Sequence, residues 1–134
     1  MRVVDASALV TLTAGRRQGT RDELGRMLSG HELHVPEHGS AEVLSAIRGL
    51  RLGGSISESI AVQALADYAM MPLRRHPAVP FIARAWELRH AMTADDALYA
   101  ALAETLGCPL VTCDGKMRAG GHQAEVIVAG ARTV

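Results

Sequence analysis

The sequence predicts an α/β fold with a mainly parallel sheet, and three observations support this prediction. Short β-branched or apolar runs alternate with longer segments whose apolar residues have helical spacing. Hydrophobic residues make up 49% of the chain and charged residues 21%, an ordinary globular composition. No internal repeat, low-complexity tract or linker interrupts the pattern. We therefore expect one domain over 1–134, large enough to bury a core without a metal or disulfide.

The N-terminal half begins with a strand that runs directly into a helix. The run "RVVD", residues 2–5, is β-branched and ends in an acid, and "ASALVTLTAG" after it has helical spacing. Leu and Met recur at helical intervals in 21–30, which stops at a glycine, as many helices do. The brief run 31–36 predicts a second strand. Residues 40–52 predict a helix that begins at Ser40 and ends before two glycines.

The second half supplies the remaining helices and strands. A helix with Ser57 as its cap extends to about residue 69, and 70–77 is a turn or a short strand. Two consecutive helices are predicted over 78–92 and 93–107. Two further buried strands are predicted in "CPLVTCD" and "AEVIVAG", which are Cys108 to Asp114 and Ala124 to Gly130.

Charge and cysteine content exclude several classes of protein. The 14 basic and 14 acidic residues balance, so no global positive field attracts nucleic acid, although every basic residue except Lys116 is an arginine, whose planar fork suits phosphate. Cys108 and Cys113 form neither a C-x-x-C pair nor a disulfide framework, so we expect both to be reduced in a cytoplasmic protein. The first apolar stretch carries Asp5, and no run of about 18 apolar residues occurs. We expect neither a signal peptide nor a membrane span.

Four acids fall where an α/β sheet usually places its ligand site. Asp5 ends the first strand, and Asp114 lies just past the strand predicted near 109–112. Ligands of open α/β sheets bind outside the carboxyl ends of the strands, so both acids belong to that edge. Glu42 and Asp96 each lie in the first turn of a predicted helix. At least three of the four acids are therefore expected to meet.

Each acid also has a purely local explanation. Thr93 and Asp96 fit the pattern of a helix cap, and Glu42 fits a first-turn acid that favours the helix dipole. Asp114 before a glycine fits a simple turn. Asp5 is the hardest to explain locally, because an acid that closes a β-branched strand is not an ordinary core residue.

The repulsion energy between carboxylates indicates what the four acids would need if they lie close together. A cap contributes about 1 kcal/mol, whereas two carboxylates ~4 Å apart repel by about 4 kcal/mol at an effective dielectric of about 20. Caps alone cannot hold converging acids ionised. Either protons or a divalent cation must neutralise them, and oxygen ligands favour Mg²⁺ or Mn²⁺ over zinc.

Four segments together resemble the PIN-domain family, and within it the toxin ribonucleases of VapBC toxin-antitoxin pairs. They are "VVDASALV", "VPEHGSAEVLSAIR", "TADDALYAALAETLG" and "LVTCD", and they span nearly the whole chain in the family's order. The resemblance implies a three-layer α/β/α PIN-like domain with a mainly parallel sheet of four to five strands. It also implies an endoribonuclease that requires Mg²⁺ or Mn²⁺ to cleave RNA phosphodiesters.

The resemblance also assigns site residues. The expected catalytic acids are Asp5, Glu42, Asp96 and Asp114. Of these, Asp5, Asp96 and Asp114 would bind the metal, and Glu42 would act through a water or a second ion. Asp95 falls where the family varies. Ser7 and Thr112 would orient metal-bound waters, unless Ser7 merely caps the first helix and Thr112 merely ends a strand.

Partners follow from the same resemblance. Similar toxins are homodimers that are silenced by an antitoxin, whose C-terminal segment covers the active-site groove. Arg16, Arg17 and Arg48 are candidates for contacts with RNA phosphates, or are solvated surface charges. Trp86 is assigned to the core or to a dimer contact.

Two rival functions and one rival metal site remain to be weighed. A phosphoacceptor signalling domain also binds Mg²⁺ at this edge of a sheet, although its first strand usually ends in an acidic pair rather than in Asp5 alone. A catalytically inactive binding module would keep the fold, but all four acids are present here. A zinc site built from His31, His34 and His38 is disfavoured because Pro36 interrupts them. Of these histidines, only His38 is expected near the groove.

Overall fold

The computed structural model describes residues 1–130, and its sheet has five strands that are all parallel. The strands are β1 (Arg2–Val4), β2 (Leu33–Pro36), β3 (Leu73–His76), β4 (Leu110–Thr112) and β5 (Val126–Val128). Their order across the sheet is β3-β2-β1-β4-β5. The prediction of a mainly parallel sheet of four to five strands is confirmed. The segment at 70–77, where the sequence allowed a turn or a short strand, contains the edge strand β3.

Helices cover both faces of this sheet. The α-helices are α1 (Ala6–Ala14), α2 (Gln18–Leu28), α3 (Gly39–Leu52), α4 (Glu58–Met70), α5 (Ile82–Glu87) and α6 (Ala94–Leu106). Short 3₁₀ turns occupy Val79–Phe81 and Gly115–Arg118. Helices α1 to α4 pack together on one face, and α5 and α6 pack on the other. The predicted three-layer α/β/α arrangement is confirmed.

The central strands β1 and β4 are mostly apolar because each of their faces meets a helix, whereas the edge strand β3 carries the exposed Arg74 and Arg75. Successive side chains of a strand point to opposite faces of its sheet. Val3 and Leu110 join the cluster of buried residues around α6, whereas Val4 and Val111 join the larger cluster that contains α1. All four side chains are fully buried. Within residues 1–130, no helix is long and apolar enough to cross a bilayer.

The prediction of one helix over 78–92 is wrong. The chain makes a 3₁₀ turn around Pro80, and α5 ends at Glu87. Leu88 is buried and packs with residues of α5 and α6, so the chain turns back there instead of continuing as a helix. The assignment of Trp86 to the core is also wrong, because 67% of this side chain is exposed.

Leu102 offers a test of the core beneath α6. Replacing this fully buried side chain by alanine leaves a cavity, so Leu102→Ala should lower the free energy of unfolding by roughly 2–5 kcal/mol. The control Leu52→Ala, at a mostly exposed position of α3, should change it by less than about 0.5 kcal/mol. Urea unfolding measures both values, and equal losses would contradict the packing described here.

Candidate active site

The candidate site lies at the topological switch point of the sheet, where the order of the strands reverses. After β1 the chain moves to β2 and β3 on one side, and it later returns to β4 on the other side of β1. A crevice for ligands opens at such a switch point, outside the carboxyl ends of the strands. Asp5 directly follows β1, and Asp114 follows β4. The topology therefore brings these two acids to the same edge.

Both carboxylate oxygens of Asp5 accept hydrogen bonds. Its Oδ1 accepts from the backbone N–H of Ala8 at 3.0 Å and from the Ser7 hydroxyl at 2.7 Å, and its Oδ2 accepts from the Thr112 hydroxyl. Asp5 is thus the N-cap of α1. The alternative that Ser7 caps this helix is wrong.

Only 4% of Asp5 is exposed, and this burial raises the pKa of Asp5 although the hydrogen-bond donors act to lower it. The negative charge of Asp96 adds to the rise.

The two hydroxyl residues connect Asp5 to the segment after β4. Ser7 Oγ accepts from the backbone N–H of Cys113 at 3.0 Å. Thr112 Oγ1 accepts from the backbone N–H of Asp114 at 2.9 Å while it donates to Asp5. Both predicted supporting residues therefore contact Asp5 directly, and the alternative that Thr112 merely ends a strand is wrong. Their role towards metal-bound waters stays a prediction.

Helix α6 presents Asp96 to the same crevice. Thr93 caps this helix by accepting from the backbone N–H of Asp96 at 3.2 Å, as the sequence indicated. Burial raises the pKa of Asp96, and the negative charges of Asp114, Glu42 and Asp95 raise it further. Asp96 is half-buried, whereas Asp95 is exposed. Of the two acids, Asp96 is the one on which the charges of both Asp114 and Glu42 act.

An acid can accept a hydrogen bond from the backbone of a turn and still interact with the other acids of the site. Asp114 Oδ1 accepts from the backbone N–H of Lys116 at 3.0 Å, which satisfies the predicted turn, and its charge still acts on Asp96. A carboxylate has two oxygens, so one of them can serve the backbone while the other faces the crevice.

Glu42 lies on α3 at the other side of the crevice. Its Oε1 is 3.2 Å from His38 Nε2, which is within ion-pair distance, but the two atoms do not meet hydrogen-bonding geometry. Burial pulls the pKa of Glu42 upward, but His38 and the Tyr99 hydroxyl outweigh this effect, and the pKa lies below its usual value. Glu42 and His38 line an open pocket of about 590 Å³ that Asp95 also borders. His38 therefore lies beside Glu42, and its place in a substrate groove stays a prediction.

The donor set matches a hard divalent cation. The four acids and the two hydroxyls offer only oxygen atoms, and Glu42 Oε1 is buried without a hydrogen-bond partner among residues 1–130. As the side chains stand in the described part of the chain, no three His, Cys, Asp or Glu residues form a ready-made metal cage. Burial first and neighbouring negative charges second raise the pKa values of Asp5 and Asp96, and a bound cation would offset both effects.

The three candidate arginines lie in two different places. Arg16 and Arg17 line a pocket of about 540 Å³ that also includes Cys113, next to Asp114. Arg48 is exposed on α3 and lines neither this pocket nor the one beside Glu42. Only Arg16 and Arg17 are therefore grouped near the acidic edge.

Sequence reasoning missed Tyr99. This residue lies one helical turn after Asp96 on α6, and its hydroxyl approaches Glu42. The spacing of three residues places both side chains on one face of the helix, which is a signal that the sequence offered.

Charge crowding predicts an unusual gain in stability for Asp96→Asn. In buffer with EDTA at pH 7, this variant should be more stable than Asp95→Asn by roughly 0.5 kcal/mol, the scale of like-charge pairs on helices. Both variants lose a first-turn charge, but only Asp96→Asn removes the acid that Asp114 and Glu42 repel.

The difference in stability between Asp96→Asn and Asp95→Asn should depend on pH. Folding raises the pKa of Asp96, so the ionised form is penalised above that pKa, and the advantage of asparagine should vanish below the ordinary value of 3.8. Urea unfolding at several pH values measures this difference, and equal stability of the two variants at pH 7 would argue against crowding.

Comparisons with known proteins agree with this geometry. A family model described as "PIN domain" matches residues 2–122. The chain is 40% identical to Ribonuclease VapC12 of Mycobacterium tuberculosis over 127 residues, which cover 94% of this chain and 97% of that protein. It is 36% identical to Ribonuclease VapC3 of the same organism, with 93% and 90% covered.

A solved structure shows the same fold. The crystal structure of Mycobacterium tuberculosis VapC20, described as a sarcin-ricin loop cleaving toxin, matches with a TM-score of 0.65 at 22% identity, covering 87% of this chain and 92% of that one. At this identity the likeness concerns the fold alone. On the family model and the sequence relatives together, the chain belongs to the PIN-domain family, among its VapC-type toxins.

Proposed function

We propose that this protein is a Mg²⁺- or Mn²⁺-dependent endoribonuclease and the toxin of a type II toxin-antitoxin pair. The observation that carries this proposal is that Asp96 lies within charge-interaction range of Asp5, Glu42 and Asp114 near the switch point of a parallel sheet. Membership of a family whose relatives are named ribonucleases supports the reaction class.

Asp5, Asp96 and Asp114 are the residues that would hold the metal. A bound Mg²⁺ or Mn²⁺ would lower the pKa of a water and stabilise the leaving oxygen of the phosphodiester. Asp5 is suited to ligation because Ser7, Thr112 and the first turn of α1 fix its carboxylate before any ligand arrives.

Glu42 has a different task in this proposal. Its charge acts on Asp96, and His38 and Tyr99 hold its pKa below the usual value, which favours the ionised form. An ionised carboxylate accepts a hydrogen bond from the attacking water and orients that water for in-line displacement. Ser7 and Thr112 fix the site indirectly, since both donate to Asp5.

The proposed partners are an antitoxin, an RNA and a second copy of the chain. Family membership supports the antitoxin, whose binding would cover the acidic crevice. An exposed apolar patch on and beside α5, formed by Val79, Ile82 and Trp86, supports a protein contact there, and we assign it to the homodimer. We propose a cytoplasmic location, because the proposed RNA substrate is found there.

Loss of either central acid should abolish cleavage. In the presence of Mn²⁺, Asp5→Asn and Asp96→Asn should each reduce kcat/KM on RNA by about a hundredfold or more, because even the supports of metal ligands contribute about 10–100-fold. Circular dichroism should show that both variants fold. EDTA should stop the wild-type reaction, and added Mg²⁺ or Mn²⁺ should restore it.

The control for this experiment is Asp95→Asn, which should cleave within about threefold of wild type because Asp95 is exposed at the rim. Retained cleavage by Asp5→Asn or Asp96→Asn would refute the assignment. So would a covalent acyl phosphate formed from a phosphodonor, which is the signature of a signalling domain.

Arg16 and Arg17 are proposed to contact RNA phosphates. The double variant Arg16→Gln/Arg17→Gln should raise KM severalfold and reduce the slope of log KM against log salt by roughly 1–2, since each lost phosphate contact removes about one released counterion. Arg26→Gln, on the exposed side of α2, is the matched control and should leave both quantities unchanged. An unaltered salt slope in the double variant would assign these arginines to the solvated surface.

A further inference from the structure

Tyr99 carries a buried hydroxyl that lies near Glu42 without reaching hydrogen-bonding geometry. Only 1% of this residue is exposed, and its hydroxyl has no hydrogen-bond partner among residues 1–130. Buried polar groups are nearly always paired, because an unpaired one loses its hydration without compensation. A hydroxyl in this position therefore calls for an acceptor or a water close to it.

The surroundings of this hydroxyl identify the acceptor. Glu42 Oε1 is buried and also lacks a hydrogen-bond partner in the described range. The ring of His38, one turn before Glu42, packs edge-on against the Tyr99 ring with their centroids 5.1 Å apart. Both ring nitrogens of His38 also lack a partner there, so three residues with unpaired polar atoms share the space between α3 and α6. Among them, the carboxylate of Glu42 is the group that interacts with the Tyr99 hydroxyl.

Gly39 makes room for the hydroxyl at the start of α3. A Cβ atom at this position would come within 2.9 Å of the Tyr99 hydroxyl oxygen. Real Cβ atoms essentially never stand this close to another atom, so any larger residue would displace the hydroxyl. The first turn of α3 therefore accommodates the tip of Tyr99 and supplies Glu42 just beyond it.

We propose that Tyr99 is a positioning residue for the reaction proposed above: its hydroxyl donates to the Glu42 carboxylate, directly or through one water, and fixes the orientation of that carboxylate. The inference rests on the proposed nuclease function. A neutral donor suits this place, because it can hold Glu42 without adding to the repulsion between Glu42 and Asp96. Burial and the charge of Glu42 strongly raise the pKa of Tyr99, so the hydroxyl keeps its proton.

Tyr68 provides a matched control. Its hydroxyl is also buried next to α3, but it already pairs with Ser40 Oγ at 2.7 Å. Tyr→Phe at either position removes one buried oxygen and nothing else. Only Tyr99→Phe should affect an active-site acid, whereas Tyr68→Phe should affect stability alone.

The experiment compares both variants in Mn²⁺-dependent RNA cleavage and in thermal unfolding. Tyr99→Phe should lower kcat by about ten- to hundredfold, the effect of one hydrogen bond to a charged group, and leave KM within about twofold. Tyr68→Phe should keep kcat within about twofold and lower Tm. If Tyr99 acts through Glu42, then Tyr99→Phe should have no further effect on kcat in a Glu42→Gln background.

Two further measurements test the contact between Tyr99 and Glu42 independently of Tyr99→Phe. Gly39→Ala, which retains the hydroxyl but displaces it, should lower kcat in the same direction, and it replaces Tyr99→Phe as the test if that variant does not fold. A crystal structure should show the Tyr99 oxygen within hydrogen-bonding distance of Glu42 or of a water that both share. This last readout needs no activity, so it tests the contact even if wild type cleaves no RNA, a result that would refute the proposed function instead.

The inference is overturned by any of three results. These are a Tyr99→Phe kcat within about twofold of wild type, additive effects of Tyr99→Phe and Glu42→Gln, or a Tyr99 oxygen bonded to a group other than Glu42 or its water.

Discussion

The burial of carboxylates beside one another at one edge of the sheet is the constraint on which the candidate site depends. A parallel sheet with its switch point at β1 and β4 delivers Asp5 and Asp114 to the same edge, and α6 adds Asp96. At short range such charges repel by amounts that a single cap cannot offset. Burial adds a larger cost, and although the surrounding donors reduce the total, the pKa values of Asp5 and Asp96 stay raised. The site is thus pre-formed but electrostatically incomplete.

Asp5 contributes both to the stability of the fold and to the proposed function. As N-cap it stabilises α1, and through Ser7 and Thr112 it ties that helix to β4. The hydrogen bonds that make it a good cap also fix its carboxylate at the bottom of the crevice. A substitution here changes both roles, so the loss of activity and the loss of folding must be measured separately.

The balanced charge of the chain conceals an uneven local distribution. Acids gather at the crevice, and Arg16 and Arg17 line the neighbouring pocket, so positive and negative regions adjoin at one edge of the sheet. A phosphodiester brought to that edge would meet arginine forks close to the oxygen ligands of a cation. Net charge by itself therefore says little about whether such a protein binds nucleic acid.

The sequence by itself determined the layers of this protein and the four acids, because these depend on local patterns. Apolar runs define the strands, helical spacing defines α3 and α6, and acids at strand ends and in first helical turns need only the rule that parallel strands share an edge. Tertiary packing decided what depends on distant groups. It ended α5 at Glu87, where Leu88 turns inward, and it made Asp5 rather than Ser7 the cap of α1. It also brought the Tyr99 hydroxyl to Glu42 across a space that only glycine at position 39 leaves open, since the relative placement of two helices is set by the core between them.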